Sequence, residues 1–138
     1  MIILDTNVLS ELMRPGGETK VREWMDTLKL GDLFITAITR AEIERGLNLL
    51  PTGKRRDTYR LCADAMFRLF RGRCLSFGED AAVLFGKIQA ERQRAGRPIT
   101  TEDAQIASIA LTHDIAVATR NTRDFQRIKH LELINPWN

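Results

Sequence analysis

The sequence predicts an α/β fold of three layers, a mainly parallel sheet of four or five strands flanked by helices. Short apolar runs alternate along the chain with segments of helical spacing, and Pro- and Gly-rich turns punctuate them. Four runs, Ile2 to Leu4, Leu33 to Thr36, Cys74 to Phe77 and Ile115 to Ala118, are too short for helices and read as strands, with Glu132 to Asn135 a candidate fifth. Between them Val21, Trp24, Met25 and Leu28 recur at helical spacing. So do Leu61, Cys62, Ala65, Met66 and Leu69, and later Ala81, Leu84, Phe85 and Ile88. Crossover helices are the usual way to return successive strands in one direction, so the alternation predicts parallel pairing. Pro15-Gly16-Gly17, Pro51-Thr52-Gly53 and Gly96-Arg97-Pro98 suit turns, and none is long enough for an interdomain linker. With 138 residues, a single domain spanning 1–138 is expected.

A hydrophobic content of 43% with 28% charged residues fits a folded protein and excludes a disordered one. No stretch approaches the roughly 18 apolar residues of a membrane span, and a carboxylate stands at the fifth position. The expectation is a cytoplasmic protein with no membrane association. Cys62 and Cys74 are too few for a disulfide framework, and no zinc-like spacing of Cys or His accompanies them. The net charge of +3 is modest, but residues 54–73 carry Lys54, Arg55, Arg56, Arg60, Arg68, Arg71 and Arg73 against Asp57 and Asp64. Further basic residues lie at Lys87, Arg92, Arg94 and Arg97, and at Arg120, Arg123, Arg127 and Lys129. Such clusters suit a polyanion, and a solvated helix face looks the same.

Three acids stand where sites collect in parallel sheets, beyond the carboxyl ends of strands. Asp5 follows the first strand directly, with Thr6 and Asn7 beside it; Glu42 is expected in the first turn after the second strand; Asp103 precedes the small residues Ala104, Ala107 and Ala110. Each also has a plain structural explanation. Thr39-x-x-Glu42 reads as a capping box, Thr100-x-x-Asp103 resembles one, and Asp5 can cap a short helix. Capping does not explain why a strand runs into Asp-Thr-Asn, or why alanines that permit close backbone approach follow Asp103. If the acids converge, mutual repulsion raises their pKa values unless a cation neutralises them. All-oxygen ligation suits Mg²⁺ or Mn²⁺, and such an ion directs attention to phosphoryl transfer.

These residues resemble the PIN-domain family, specifically VapC-type toxins of toxin–antitoxin pairs, and within them a FitB-like branch. The likeness spans nearly the whole chain. It rests on Ile3-Leu4-Asp5-Thr6-Asn7-Val8-Leu9-Ser10-Glu11, on Ile38-Thr39-Arg40-Ala41-Glu42-Ile43 with Gly46, and on Asp103-Ala104-Gln105-Ile106-Ala107. Ala118-Thr119-Arg120-Asn121 with Asp124-Phe125, and Asn135-Pro136-Trp137, complete it. The resemblance implies a metal-dependent endoribonuclease in which Asp5, Glu42 and Asp103 bind Mg²⁺, or Mn²⁺ in its place, with Thr6, Asn7 and Thr119 in support. Many relatives have an aspartate where this chain has Asn121, so Asn121 or Asp124 fills the fourth acidic position. It further implies a homodimer, a cognate antitoxin, and RNA as substrate, with transfer RNA one target class. Cleavage would leave a 5′-phosphate and a 3′-hydroxyl.

Two other chemistries compete. His113 and His130 could serve as an acid and base for metal-free RNA cleavage. A haloacid-dehalogenase phosphatase would also begin with an aspartate after its first strand, but needs Asp-x-Asp where this chain has Asn7. The non-enzymatic alternative is a nucleic-acid- or antitoxin-binding module whose acids are only helix caps.

Overall fold

Ile2, Ile3 and Leu4 form β1 (Ile2–Leu4), and their alternation sets the layers, since successive strand side chains point to opposite faces. Ile3 enters one apolar cluster with Ala104, Ile106, Ala107 and Val117, whereas Leu4 enters a second with Val8, Leu33, Ile35 and Phe67. The computed structural model describes residues 1–138. After β1 come α1 (Thr6–Met13), α2 (Thr19–Asp26), a 3-10 turn (Leu30–Asp32), β2 (Leu33–Thr36), α3 (Ala37–Leu49) and α4 (Lys54–Leu69). Then follow β3 (Cys74–Leu75), α5 (Glu79–Arg94), α6 (Thr101–His113), β4 (Ala116–Ala118), α7 (Thr122–Phe125) and β5 (Leu133–Ile134).

The sheet has five strands in the order β3-β2-β1-β4-β5, and every pairing is parallel. The chain moves outward from β1 through β2 to β3, then crosses back to place β4 on the other side of β1. Right-handed crossovers in opposite directions put α1–α4 on one face and α5–α7 on the other, as the two clusters record. The strand order therefore reverses between β1 and β4, and in sheets of this kind the ligand crevice lies at the carboxyl ends beside that reversal.

The expected strands all form, β1 and β2 with the bounds read from the sequence and β3, β4 and β5 shorter. β3 stops at Leu75 because the edge strand has only β2 as a partner, and Phe77 packs edge-on against Phe85 at 5.7 Å. Ile115 precedes β4; its N–H instead closes α6 on the Ala110 carbonyl while Asp114 adopts the left-handed conformation. The face expected for α4 is corrected. Leu61 and Leu69 are 72% and 50% exposed, and Ala63 and Phe67 turn inward with Phe70 just beyond the helix. Leu28 lies past the end of α2. The three expected turns hold, and Gly17 is required, because a Cβ there would lie 2.5 Å from the Glu11 carbonyl oxygen.

Helix α6 is enclosed on nearly all sides, with Ala104 and Ile106 through Ala110 buried. Its alanines let α6 lie close to the sheet and to α5, which sets the depth of Asp103. Replacing Ala107 with Leu is expected to lower stability by about 1–3 kcal/mol through overpacking, read as an earlier urea midpoint. An unchanged midpoint would show that α6 has room to retreat.

Candidate active site

Asp5 continues β1 beyond its last residue, its N–H pairing with the Ala118 carbonyl at 2.9 Å, so the carboxylate is fixed between the ends of β1 and β4. Only 5% of the residue is exposed. A carboxylate so buried needs donors. The Thr6 N–H donates to Oδ1 at 2.8 Å; the Thr119 hydroxyl donates to Oδ2 at 2.7 Å and the Asn7 amide to the same oxygen at 3.3 Å. Thr119, wholly buried, in turn accepts from the Asn121 N–H at 3.0 Å and from the Asn7 amide at 3.2 Å. The Asn7 side-chain oxygen accepts from the Arg120 N–H at 3.2 Å. Asp5 thus caps α1 with one oxygen while the other is held by β4.

Glu42 comes from a helix that starts earlier than its sequence indicated. Thr36 caps α3, its hydroxyl accepting from the Thr39 N–H at 3.2 Å, which places Glu42 in the second turn. The capping-box reading of Thr39 and Glu42 is therefore corrected, and capping does not account for Glu42. Its Oε1 lies 2.9 Å from the Thr6 hydroxyl, which is also 3.0 Å from the Thr39 hydroxyl. Thr6 has one proton to give; a charge-assisted bond to the carboxylate leaves its oxygen to accept from Thr39. Thr39, one turn before Glu42 on the same face, is a member of the site that sequence reading assigned to capping.

Asp103 occupies the first turn of α6, where the Thr100 hydroxyl accepts from its N–H at 3.2 Å as expected. Its carboxyl is pushed up to about 6, first by burial and then by the charges of Asp5, Asp124 and Glu42. Burial also raises Asp5, against the hydrogen bonds of Thr119, Thr6 and Asn7, with the Asp124 charge adding to the rise. Glu42 is raised by burial and by the charges of Asp5 and Glu102, and lowered by its bond from Thr6. The carboxyl groups thus sense one another although they come from positions distant in sequence. Glu102 joins them unforeseen; its only signal was adjacency to Asp103.

The fourth charge belongs to Asp124, exposed in the first turn of α7. Asn121 precedes that helix, but its side chain makes no capping bond, and it meets the site through its backbone N–H on Thr119. The histidines lie elsewhere. His113 ends α6 three residues before β4, and His130 stands three residues before β5, so both lie toward the amino-terminal ends of the strands, away from the acids. Cys62 is half-buried, Cys74 is exposed, and both are free.

Oxygen donors alone line this site, which fits a hard divalent cation. A carboxylate has about four lone-pair directions; Asp5 uses three, leaving one toward an ion, while Glu42 keeps Oε2 free. No three carboxylates stand close enough to ligate one ion together directly. That spacing suits a cation such as Mg²⁺, which takes one or two carboxylates and keeps several waters.

Three of the seven basic residues of 54–73 are occupied otherwise. Arg60 pairs with Glu44 at 2.6 Å and Asp64 at 3.3 Å, Arg56 donates to Asn48, and Arg73 donates to the carbonyls of Leu30, Leu33 and Leu69.

Comparison with known proteins adds an independent line. The family model described as PIN domain matches residues 2–131. The chain is 37% identical over 139 residues to a protein of Neisseria gonorrhoeae named toxin FitB, covering 100% of this chain and 99% of that one. It is 39% identical over 139 residues to the VapC ribonuclease Y4jK of Sinorhizobium fredii, covering 99% and 98%. The crystal structure of FitAcB from Neisseria gonorrhoeae superposes with a TM-score of 0.92 at 37% identity, covering 100% of this chain and 99% of that chain.

Asp103 supplies a pH test of the clustered charge. Its folded value of about 6 lies above the ordinary 3.8, so the proton is favoured in the folded state. The associated stability is present below about pH 4 and is lost as pH rises through about 6. Without added metal, Asp103→Asn is expected to exceed the wild type in stability at pH 7.5 by about 1 kcal/mol, after allowing for screening of a half-exposed group. The gain should vanish near pH 4. A gain equal at both pH values would mean that charge repulsion is not its source.

Proposed function

The chain belongs to the PIN-domain family, and from that premise we propose that it is a metal-dependent endoribonuclease, the toxin of a toxin–antitoxin pair, hydrolysing RNA phosphodiester bonds. The observation that carries this reading is the gathering of carboxyl groups at the carboxyl edge of the sheet: Thr6 bonds both Asp5 and Glu42, and the charge of Asp5 acts on Glu42 and Asp103. Relatives named toxin and ribonuclease, matched over nearly their full length, support it.

Asp5, Glu42 and Asp103 would hold Mg²⁺ or Mn²⁺ between them, one or two directly and the rest through the waters such an ion keeps, with Asp124 as the fourth acid. When bound, the ion supplies Lewis acidity toward the phosphodiester and water of lowered pKa for attack at phosphorus. The chain itself supplies alignment. Thr119 and Asn7 fix one oxygen of Asp5 and Thr6 the other, so the carboxylate cannot rotate away from the crevice. The Thr6 hydroxyl orients Glu42, and the Asn121 N–H keeps the Thr119 hydroxyl aimed at Asp5. Proton release on cation binding follows, because carboxyls raised by burial and by neighbouring charge ionise when a cation joins them.

The same reading treats 1–138 as one nuclease domain that acts as a homodimer in the cytoplasm and is restrained by a cognate antitoxin. No helix is long and apolar enough to cross a membrane. Transfer RNA is the substrate class to try first. The capping-only alternative loses its support at Glu42, which caps nothing.

Purified protein is expected to cleave a transfer-RNA pool with Mg²⁺ or Mn²⁺ and to stop when excess chelator is added or Asp5 is replaced by Asn. Cleavage that survives both treatments would rule out the acidic site. Thr119→Val should lower metal affinity or activity by about 10–100-fold while the fold persists by circular dichroism. Activity equal to the wild type would remove Thr119 from the support of Asp5.

A further inference from the structure

The largest cavity, about 650 Å³, is not centred on the acids but begins beside them, lined by Arg92, Arg97, Arg123, Asp124 and Arg127 among others. It runs between the end of α5 and the segment around α7. Four arginines gather in this one lining and none of them pairs with a carboxylate, although Glu91 and Asp124 share it. Arg92 is fixed in the wall. Its Nε donates to the Arg97 carbonyl at 2.7 Å, and its Nη1 donates to the carbonyls of Asp124 and Gln126, each at 3.2 Å. One guanidinium thus ties α5 to the following turn and to the end of α7, holding both walls in place. Arg127 sits at φ 67°, a left-handed conformation that is strained for a non-glycine residue and commonly persists where function uses it.

We propose that this cleft binds the phosphodiester backbone of a nucleic-acid strand, with Arg97, Arg123 and Arg127 contacting successive phosphates on one side of the acidic cluster. The direction follows from Asp124, which lines the cleft while its charge reaches Asp5 and Asp103. A strand with one phosphate at the acids therefore has its next phosphates at the arginines, an assignment that rests on the ribonuclease reading. An acidic polypeptide offers charge without the regular phosphate spacing of a strand, and competition with polyglutamate separates the two. The lining holds Ile88, Ala95 and Ile128 but no aromatic ring, so bases have nothing to stack on. Contacts here fix position without reading sequence.

The test is binding of a fluorescein-labelled oligouridylate of about 12 nucleotides, a length within the usual range of single-strand sites, by the full chain in excess chelator. Anisotropy is followed across a salt series for the wild type, for an Arg97→Gln, Arg123→Gln, Arg127→Gln variant, and for an Arg68→Gln, Arg71→Gln control. The cleft variant is expected to bind at least about 10-fold more weakly at low salt, with a log–log salt slope shallower by about 2, from three contacts of about 0.7 each. Its thermal midpoint should match the wild type, and the control should keep the wild-type slope. A cleft variant that keeps the wild-type slope overturns the proposal, as does a wild type that binds no RNA at low salt. Displacement by polyglutamate at equal charge would assign the cleft to acidic peptides instead and overturn it too. Binding is read without metal, so a chain that binds RNA here and cleaves none would sink the ribonuclease reading while leaving the cleft in place.

Discussion

A carboxylate buried at the end of the central strand governs much of this architecture. Left without donors, Asp5 would carry a desolvation penalty of several kcal/mol, so its environment must bring hydrogen-bond donors from two directions. One comes from the α1 backbone at Thr6, and the other from Thr119 at the end of β4. Thr119 can reach only because β4 lies next to β1, with Leu4 opposite Ala118, and because the pairing is parallel, so that both strands end at one edge. Parallel pairing in turn requires crossover helices that run back against the strands. Helix α6 therefore begins at the edge where β1 ends, and its first turn carries Asp103.

The cluster so formed works against the stability of the fold in the absence of a cation. Asp103 at about 6 favours its proton in the folded state, and neutral pH removes that proton. The compensation lies behind the acids, where α6 packs Ile106, Ile109 and its alanines into a core shared with Ile3 and Val117. Local conflict at a site offset by consistency elsewhere is what a functional cluster is expected to look like.

How much of this the sequence disclosed depended on whether the signal was local. Strands were legible because each is a short apolar run bounded by polar residues or turns, and β2 forms from Leu33 to Thr36 as read. Asp5 and Asp103 were legible because each stands at an element boundary that sequence marks. The onset of α3 was not, because two threonines, Thr36 and Thr39, compete for the cap, and the choice falls on the one that ends β2. The inward face of α4 was misread for a related reason: Phe67 and Phe70 outrank Leu61 and Leu69 only once the neighbouring helices are in place. Asn121 and Asp124 were not separable in sequence, because both stand at the start of α7, one before the helix and one in its first turn.

The basic residues illustrate the same limit in terms of charge. By composition, 54–73 is the richest cationic run, yet Arg60 is matched by Glu44 and Asp64, and Arg73 spends its donors on backbone carbonyls. Guanidinium groups are fixed forks of donors, and a fold uses them wherever carbonyls or carboxylates are left over. Arg92 is consumed in this way, and by joining α5 to α7 it leaves Arg97, Arg123 and Arg127 around an open cleft without carboxylate partners. A cationic surface is what internal pairing leaves behind, so its location is a property of the packed molecule, whereas its total charge belongs to the sequence.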